Sequence, residues 1–394
     1  MIYRNLGNTS VKISTIGLGT TGTGGRSSMD AQRTERLMKL YRYAVDLGVN
    51  YFDTAELYGG GYAEEVLGKA LKPIRDAVLI GSKFNPQNNS FDGVMRSVEG
   101  TLRRLDTDYL DLYQVHWPNP LIPLSETMRA MEKLVDQGKI RYIGVSNFCL
   151  EELEEAQTFL DRGQVVSIQA EYSLLDRAIE QEIIPYCASN NITILVYGAL
   201  NHGRVAWHKE QEEVLSATSE RYGRIPSQVV LGWILSQPSV VALTKTSSFE
   251  HLRQNVLSTE FMLEKSDVEL ISSAFNDRCI LVPLEQIRLT GANFKATYNS
   301  VQEAVENKLD LIPSPLILAK NILARKAFKP IRLVPTRDQT GKYSYDLDAY
   351  DLMGEVKKYW AWVIAYGAVV PIPAYCMPDD SIDSVGTTGK LAYA

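Results

Sequence analysis

Residues 51–62 read Tyr-Phe-Asp-Thr-Ala-Glu-Leu-Tyr-Gly-Gly-Gly-Tyr. A β-branched and aromatic run, Val49, Tyr51 and Phe52, leads into Asp53; Tyr58 follows five residues on, and three glycines come after it. The pattern predicts a buried strand ending in a carboxylate, then a loop that carries a phenol back over the strand end. In a barrel of parallel strands, chemistry is done at the strand C-termini and in the loops just after them. Two later strands end in the same manner. VLIGSKF, 78–84, sets Lys83 at the end of a β-rich run, and YLDLYQVHWP, 109–118, sets His116 at the end of another, directly before Trp117 and Pro118.

The rest of the chain alternates as such a barrel requires. YRNLGNTSVKIS, 3–14, turns at Gly-Asn-Thr-Ser and predicts a short hairpin. Over 30–47 the apolar positions Leu37, Leu40, Tyr41, Ala44 and Leu47 recur at three and four residues, the period of an amphipathic helix. A helix between two strands is the crossover a parallel sheet needs. Helices are then expected at 63–72, 91–105, 124–137, 150–160, 179–189, 226–236 and 249–257. Strands are expected at 78–82, 109–115, 142–145, 166–169, 193–196 and 240–243. Eight strand and helix units close into a (β/α)8 TIM barrel, an α/β fold.

Asp, Tyr, Lys and His in this order on successive strand ends resemble the aldo-keto reductase superfamily, and the resemblance runs from Met1 to about Asn276. It implies an N-terminal hairpin plugging the barrel bottom. It also implies a catalytic set of Asp53, Tyr58, Lys83 and His116 that reduces carbonyl compounds with a nicotinamide cofactor. Taken singly, each residue has a plainer reading. Asp53 before a threonine suits a helix cap, Tyr58 is one of 21 tyrosines and could anchor a loop, Lys83 could be solvated, and His116 could be packed core. Order and spacing together favour catalysis.

The four roles follow from the chemistry. Reduction needs a proton for the developing alkoxide, and a phenol can supply it, although its ordinary pKa is about 10. A neighbouring ammonium, Lys83, is expected to lower that value, with Asp53 pairing Lys83 so that no lone cation is buried. His116 would donate a hydrogen bond to the substrate oxygen.

The resemblance assigns the cofactor contacts residue by residue. Gly19, Thr20 and Thr21 follow the first barrel strand, in a stretch of irregular glycines that alone reads equally as a loop of small residues. Ser146, Asn147 and Gln169 match the family's carboxamide contacts, Asp53 lies beside them, and Tyr197 matches the ring that stacks on nicotinamide. Gly198, Ala199, Leu200 and Gly203 would take the pyrophosphate, although the family's frequent Ser-Pro-Leu is here Gly-Ala-Leu. Lys245, Thr246 and Ser247 suit a 2′-phosphate, which favours NADPH. His251 stands where an arginine often packs on adenine, so NADH stays open; Gln254 and Asn255 complete that site. Substrate contacts are expected from Tyr58, Asn85, His116 and Trp117, a mixed aromatic and polar mouth.

Composition bounds the alternatives. The chain has 394 residues, 45% hydrophobic and 22% charged, against about 250 for a typical eight-fold barrel. Residues 277–394 are thus an extension beyond the 1–276 barrel, broken by Pro313, Pro315, Pro330, Pro335, Pro371 and Pro373, with helical pieces expected at 300–308 and 315–326. An apolar run at 359–375 is too short and too interrupted to span a membrane and reads as a buried segment packing on the barrel, with docking at an interface or a membrane surface as the alternative. If the extension folded over the barrel top it would act as a lid. A net charge of −6 argues against nucleic acid as a partner. Four scattered cysteines, Cys149, Cys187, Cys279 and Cys376, argue against a metal or iron–sulfur site. With no signal-like leader, a cytoplasmic setting is expected. A small carbonyl or alcohol is the expected partner. Two other readings share the residues: a redox-neutral lyase or epimerase relative, and a cofactor-binding docking subunit like the potassium-channel β subunits that resemble this family.

Overall fold

The computed structural model describes residues 1–25, 30–119, 121–203, 205–206 and 209–275, and strand segments at 280–282, 287–288, 331–337, 343–347 and 372–376. Contacts group them into two compact units, the first built on Met1–Val205 and Val214–Ser272.

The first unit opens with the expected hairpin. Strands β1 (Tyr3–Asn5) and β2 (Lys12–Ser14) pair antiparallel. Gly7 turns between them at φ +58°, where a Cβ would lie 2.7 Å from the Val166 carbonyl oxygen. The hairpin closes the barrel floor: Leu6 and Ile13 pack in one cluster with Tyr51, Leu112, Val166, Leu195, Val241 and Leu243. The Arg4 guanidinium ties it down by donating to the carbonyls of Leu235, Gln237 and Val240 at 2.6–2.9 Å.

Eight parallel strands follow: β3 (Ile16–Gly19), β4 (Tyr51–Asp53), β5 (Leu79–Phe84), β6 (Leu110–Val115), β7 (Ile140–Ser146), β8 (Val165–Glu171), β9 (Thr193–Tyr197) and β10 (Val240–Thr244). They close with β10 against β3. Helices α1 (Ala31–Asp46), α2 (Tyr62–Leu71), α3 (Phe91–Leu105), α4 (Leu124–Asp136), α5 (Leu150–Thr158) and α6 (Ile183–Asn190) make the crossovers. On α1 the buried face is Leu37, Leu40, Tyr41 and Ala44, the periodic positions of the sequence. Gly68 lets α2 meet α3 backbone to backbone, since a Cβ there would fall 2.3 Å from the Leu105 carbonyl oxygen.

Two expectations need correction. The helix expected at 179–189 is a 3₁₀ turn, Ala178–Glu180, followed by α6 from Ile183. Pro185 lies in the first turn of α6, where its missing N–H costs no helical bond. Helices α7 (Lys209–Tyr222) and α10 (Lys265–Ala274) were not foreseen; α8 (Pro226–Leu235) and α9 (Phe249–Leu257) were, to within a residue.

The second unit contains a mixed five-stranded sheet, for which the sequence offered no fold. Its strands, β11 (Ile280–Val282), β12 (Ile287–Arg288), β13 (Ile331–Arg337), β14 (Tyr343–Leu347) and β15 (Ile372–Cys376), run in the order β11-β15-β13-β14-β12. The helices expected at 300–308 and 315–326 and most of the 359–375 run lie outside the described residues. Among the described residues no helix is long and apolar enough to cross a membrane.

Candidate active site

Strand β4 delivers Asp53 between two glycines: its register partners are Gly19 on β3 and Gly81 on β5. A Cβ at Gly81 would strike the Tyr51 hydroxyl at 2.2 Å, so glycine there admits the Tyr51 ring beneath the carboxylate. Lys83, wholly buried on β5, reaches across. Its Nζ lies 2.6 Å from Asp53 Oδ2 and donates to the Thr54 carbonyl at 2.8 Å. Asp53 Oδ1 accepts from Gln169 Nε2 at 2.9 Å, which stabilises a carboxylate taken out of water.

The chain leaving β4 stays laddered to β5, with Thr54 N–H donating to Gly81 O and Glu56 N–H to Lys83 O. It then turns at Tyr58, whose N–H donates to Ala55 O at 3.0 Å. Gly59, Gly60 and Gly61 all adopt the left-handed region, at φ 59°, 63° and 87°. At Gly59 a Cβ would stand 2.1 Å from the Gly24 carbonyl oxygen, so the loops after β3 and β4 pack backbone on backbone. The three glycines therefore hold Tyr58 over the strand ends. The Lys83 ammonium is 5.1 Å from its ring centroid, and the His116 ring meets it edge-on at 5.9 Å. Asp53, Tyr58, Lys83 and His116 are thus brought together, and Trp117 joins them by stacking on His116 at 3.8 Å and 20°.

Burial decides the protonation states. Burial pushes the Tyr58 phenol above the ordinary tyrosine value; Lys83 pulls it part of the way back, and Asp53 opposes Lys83. The expectation that Lys83 lowers this pKa holds for the ammonium's own contribution but not for the net shift, because dehydration of the phenolate outweighs it. For Lys83, burial alone would lower the pKa, yet Asp53 and Tyr58 together leave it raised. His116 is driven well below the imidazole range by burial and by the nearby ammonium, so its ring is neutral at neutral pH. A neutral imidazole carries one N–H, and its buried Nδ1 has no hydrogen-bond partner among the described residues.

The His116 shift has a sign that can be measured. The unfolded chain takes up this proton near pH 6.5 and the folded one only at lower pH, so folding stability is lost as pH falls below about 6.5. The expected slope is up to about 1.4 kcal/mol per pH unit from this group. Denaturant unfolding of His116→Gln beside the parent at pH 7 and 5.5 should show a shallower decline in the variant; equal declines would contradict the assignment.

The expected cofactor residues lie along the same rim. Gly19 ends β3, Thr20 is buried with its N–H bonded to Asp53 O at 2.9 Å, and Thr21 is exposed. Asn147, at φ +61°, is held on three sides: Nδ2 donates to His116 O and to Ser146 Oγ, both at 3.0 Å, and Oδ1 accepts from the Tyr197 hydroxyl at 2.7 Å. This network leaves Ser146 a hydroxyl hydrogen and Asn147 one acceptor lone pair for a carboxamide. It also fixes the Tyr197 ring. Gly198 turns at φ +70° beside buried Ala199, and Gly203 N–H closes a turn onto Leu200 O at 2.8 Å.

Beyond β10, Thr246 is buried, while Lys245 and Ser247 are exposed. Lys245 arches over the loop after β3, where a Cβ on Gly22 would lie 3.4 Å from its Nζ. Ser248 caps α9 by accepting from His251 N–H at 3.3 Å. Asn255 is buried on that helix, and Gln254 donates to Glu250 at 3.0 Å. A nicotinamide dinucleotide fits this rim on two observations. The Thr20 hydroxyl is buried at the strand end with no hydrogen-bond partner among the described residues, and the Lys245 ammonium reaches the loop after β3 at Gly22, a cation on the rim that can meet a phosphate.

Asn85, expected among the substrate contacts, uses one side-chain atom locally. Its Oδ1 caps a 3₁₀ turn over Pro86–Asn88, accepting from Gln87 N–H at 3.1 Å. Asn88 and Asn89, in the loop after Lys83 that the sequence marks as a candidate for further contacts, bond to adjacent loops, and Glu56, which sequence reasoning did not single out, is their partner on the β4 side. Only the unusually polar run Asn85–Ser90 signalled them.

A closed parallel barrel with such a strand-end site defines a nicotinamide-dependent oxidoreductase. Residues 15–276 match the family model "Aldo/keto reductase family", and the chain belongs to that family. Among its relatives is a methylglyoxal reductase of Escherichia coli, 33% identical over 266 residues, which span 67% of this chain and 92% of that protein. An NADH-specific methylglyoxal reductase from the same organism is 29% identical, with 68% and 96% covered. A thermostable aldo-keto reductase solved with the inhibitor epalrestat superposes with a TM-score of 0.66 at 41% identity, covering 70% of this chain and all of that one. An aldo-keto reductase from Klebsiella pneumoniae solved with NADPH gives 0.64 at 33% identity, covering 70% and 96%.

Proposed function

We propose that the barrel unit, residues 1–276, reduces a small aldehyde or ketone with NADPH, with Tyr58 as proton donor. One observation carries this reading: a phenol held between a buried, carboxylate-paired ammonium and a neutral imidazole. When bound, the nicotinamide supplies a hydride to the carbonyl carbon. His116, neutral, donates its N–H to the carbonyl oxygen and orients it. Tyr58 gives its proton to that oxygen as negative charge develops there. Lys83 stabilises the phenolate left behind, and Asp53 keeps Lys83 charged and in place. Ser146, Asn147 and Gln169 would hold the carboxamide, Tyr197 would support one ring face, and Gly198–Gly203 would carry the pyrophosphate.

NADPH is favoured because Lys245, Thr246 and Ser247 offer an ammonium and hydroxyl donors to a 2′-phosphate. A charge-assisted bond contributes about 1.5–3 kcal/mol. Lys245→Ala should therefore weaken NADPH by roughly 10- to 100-fold, with NADH affinity nearly unchanged, in a fluorescence titration. Equal losses for both cofactors would refute the 2′-phosphate assignment.

Methylglyoxal belongs in the first substrate panel, since two relatives bear that name. Loss of NADPH absorbance with methylglyoxal, simple aldehydes and ketones tests the activity. Tight NADPH binding with no turnover across the panel would count against it and for a cofactor-binding docking subunit.

A further inference from the structure

We propose that Glu56 is a positioning residue that sets the spacing between the Tyr58 loop and the His116–Trp117 wall, acting through the Asn85–Asn89 loop as a rigid bracket. This rests on the reductase reading above.

Glu56 lies two residues before Tyr58 and grips the end of β5 from both sides of Phe84. Its backbone N–H donates to Lys83 O at 3.1 Å, while its carboxylate Oε1 accepts from Asn85 N–H at 2.5 Å. The same oxygen accepts from Asn88 Nδ2 at 3.0 Å and is approached by Ser97 Oγ on α3 at 3.5 Å. A carboxylate gathering neutral donors makes bonds about twice as strong as neutral pairs, so one side chain fixes both ends of the Asn85–Asn88 turn.

The bracket continues on its far side. Asn89, with only 1% of its surface exposed, donates from Nδ2 to the Trp117 carbonyl at 3.0 Å; its own carbonyl accepts from the Thr127 hydroxyl at 2.6 Å. Asn119 Nδ2 donates to Pro86 O at 2.9 Å. Trp117 stacks on His116, whose backbone carbonyl is in turn held by Asn147. Hydrogen bonds and the short backbone links between them therefore connect the acid's loop, through Glu56 and the asparagines, to the carbonyl of Trp117, whose ring stacks on the residue proposed to orient the substrate oxygen. A shift of about 1 Å between two such groups can cost two orders of magnitude in rate. The asparagine-rich run thus works as a spacer between two catalytic residues rather than as a mobile substrate flap.

The test is a charge-exchange cycle with two readouts. Glu56→Ala and Asn88→Asp, which puts a second carboxylate against Glu56, should each lower kcat for aldehyde reduction by roughly 10- to 100-fold, with NADPH affinity within about twofold of the parent. Glu56→Gln keeps an acceptor oxygen and should stay within about fivefold of the parent. The double variant Glu56→Gln/Asn88→Asp restores an amide–carboxylate pair and should recover most of what Asn88→Asp loses. Hydrogen exchange reads the bracket without turnover: in Glu56→Ala, deuterium uptake should rise at 85–90 and at 116–119. Unchanged uptake at those amides, or kcat losses that track lowered Tm with no rescue in the double variant, would overturn the inference. A parent that binds NADPH and reduces nothing would instead sink the reductase reading, while uptake still decides whether the bracket exists.

Discussion

Tyr58→Phe should lower kcat for carbonyl reduction by about 10²–10⁴, the range a positioned general acid contributes, while leaving NADPH affinity and Tm close to the parent. The substitution removes one oxygen and keeps the ring that meets His116 edge-on and lies 5.1 Å from the Lys83 ammonium. Neither neighbouring titratable group is set to take over the proton. His116 is kept neutral by burial and by Lys83, and Lys83 is held by Asp53 and the Thr54 carbonyl. The pH dependence follows from the direction of the phenol's shift. Burial raises its pKa despite Lys83, so the protonated donor persists through the neutral range and the reduction rate should decline only in strongly alkaline solution. Alcohol oxidation needs the phenolate as base and should rise over that same alkaline range. Stopped-flow or steady-state NADPH absorbance at pH 6–10 with both proteins checks each point. A variant keeping more than about a tenth of the parental kcat would move the proton donor elsewhere.

Period and punctuation made the barrel readable. Strand ends at Asp53, Lys83 and His116 could be aligned before any contact was known, because β-rich runs alternate with helices whose apolar positions recur every three to four residues. What escaped was whatever depends on partners distant in the chain. Lys83 was legible as a candidate for tuning Tyr58, but that dehydration would outweigh the ammonium depends on how completely the strand ends are covered, which no local pattern encodes. That Asn85 also caps its own turn was not foreseen, although a polar side chain before proline can bond the backbone two residues on. Glu56 sat in plain view inside the deciding stretch, but its partners are 29 and 32 positions away.

Helix α7 was missed for a different reason. Lys-Glu-Gln-Glu-Glu-Val-Leu-Ser-Ala-Thr-Ser-Glu-Arg-Tyr has few apolar positions to mark a face. The sheet in the second unit has β14 of ordinary strand composition, but β12 has only two residues and β13 and β15 each carry a proline, so local propensity did not announce it.

Asp53→Asn should cost about 3–5 kcal/mol of folding stability, because removing one partner of a buried ion pair leaves the other uncompensated. Lys83 has no solvent exposure, and its ammonium would keep the Thr54 carbonyl and the Tyr58 ring but no charged partner. The amide at position 53 could still accept a hydrogen bond from Lys83, which separates loss of charge from loss of packing. The pH dependence should change sign. In the parent, the folded pKa of Lys83 lies above its unfolded value of 10.5, so the contribution is fully present below pH 10.5 and fades only as pH rises through the folded pKa. With Asp53 neutralised, burial is opposed only by Tyr58 and the folded pKa falls below 10.5. The unfolded chain then binds the extra proton, and stability should climb with pH between the two values. Urea denaturation at pH 7–10, above the range in which His116 contributes a slope, would show a flat parental profile beside a rising one for the variant. Lys83→Met in the Asp53→Asn background should recover part of the loss by removing the stranded cation, while activity stays low in both, since Tyr58 would have lost the charge that supports its phenolate. A variant as stable as the parent with a flat profile would mean that Lys83 is not charged in the folded protein, and the role given to it would have to be abandoned.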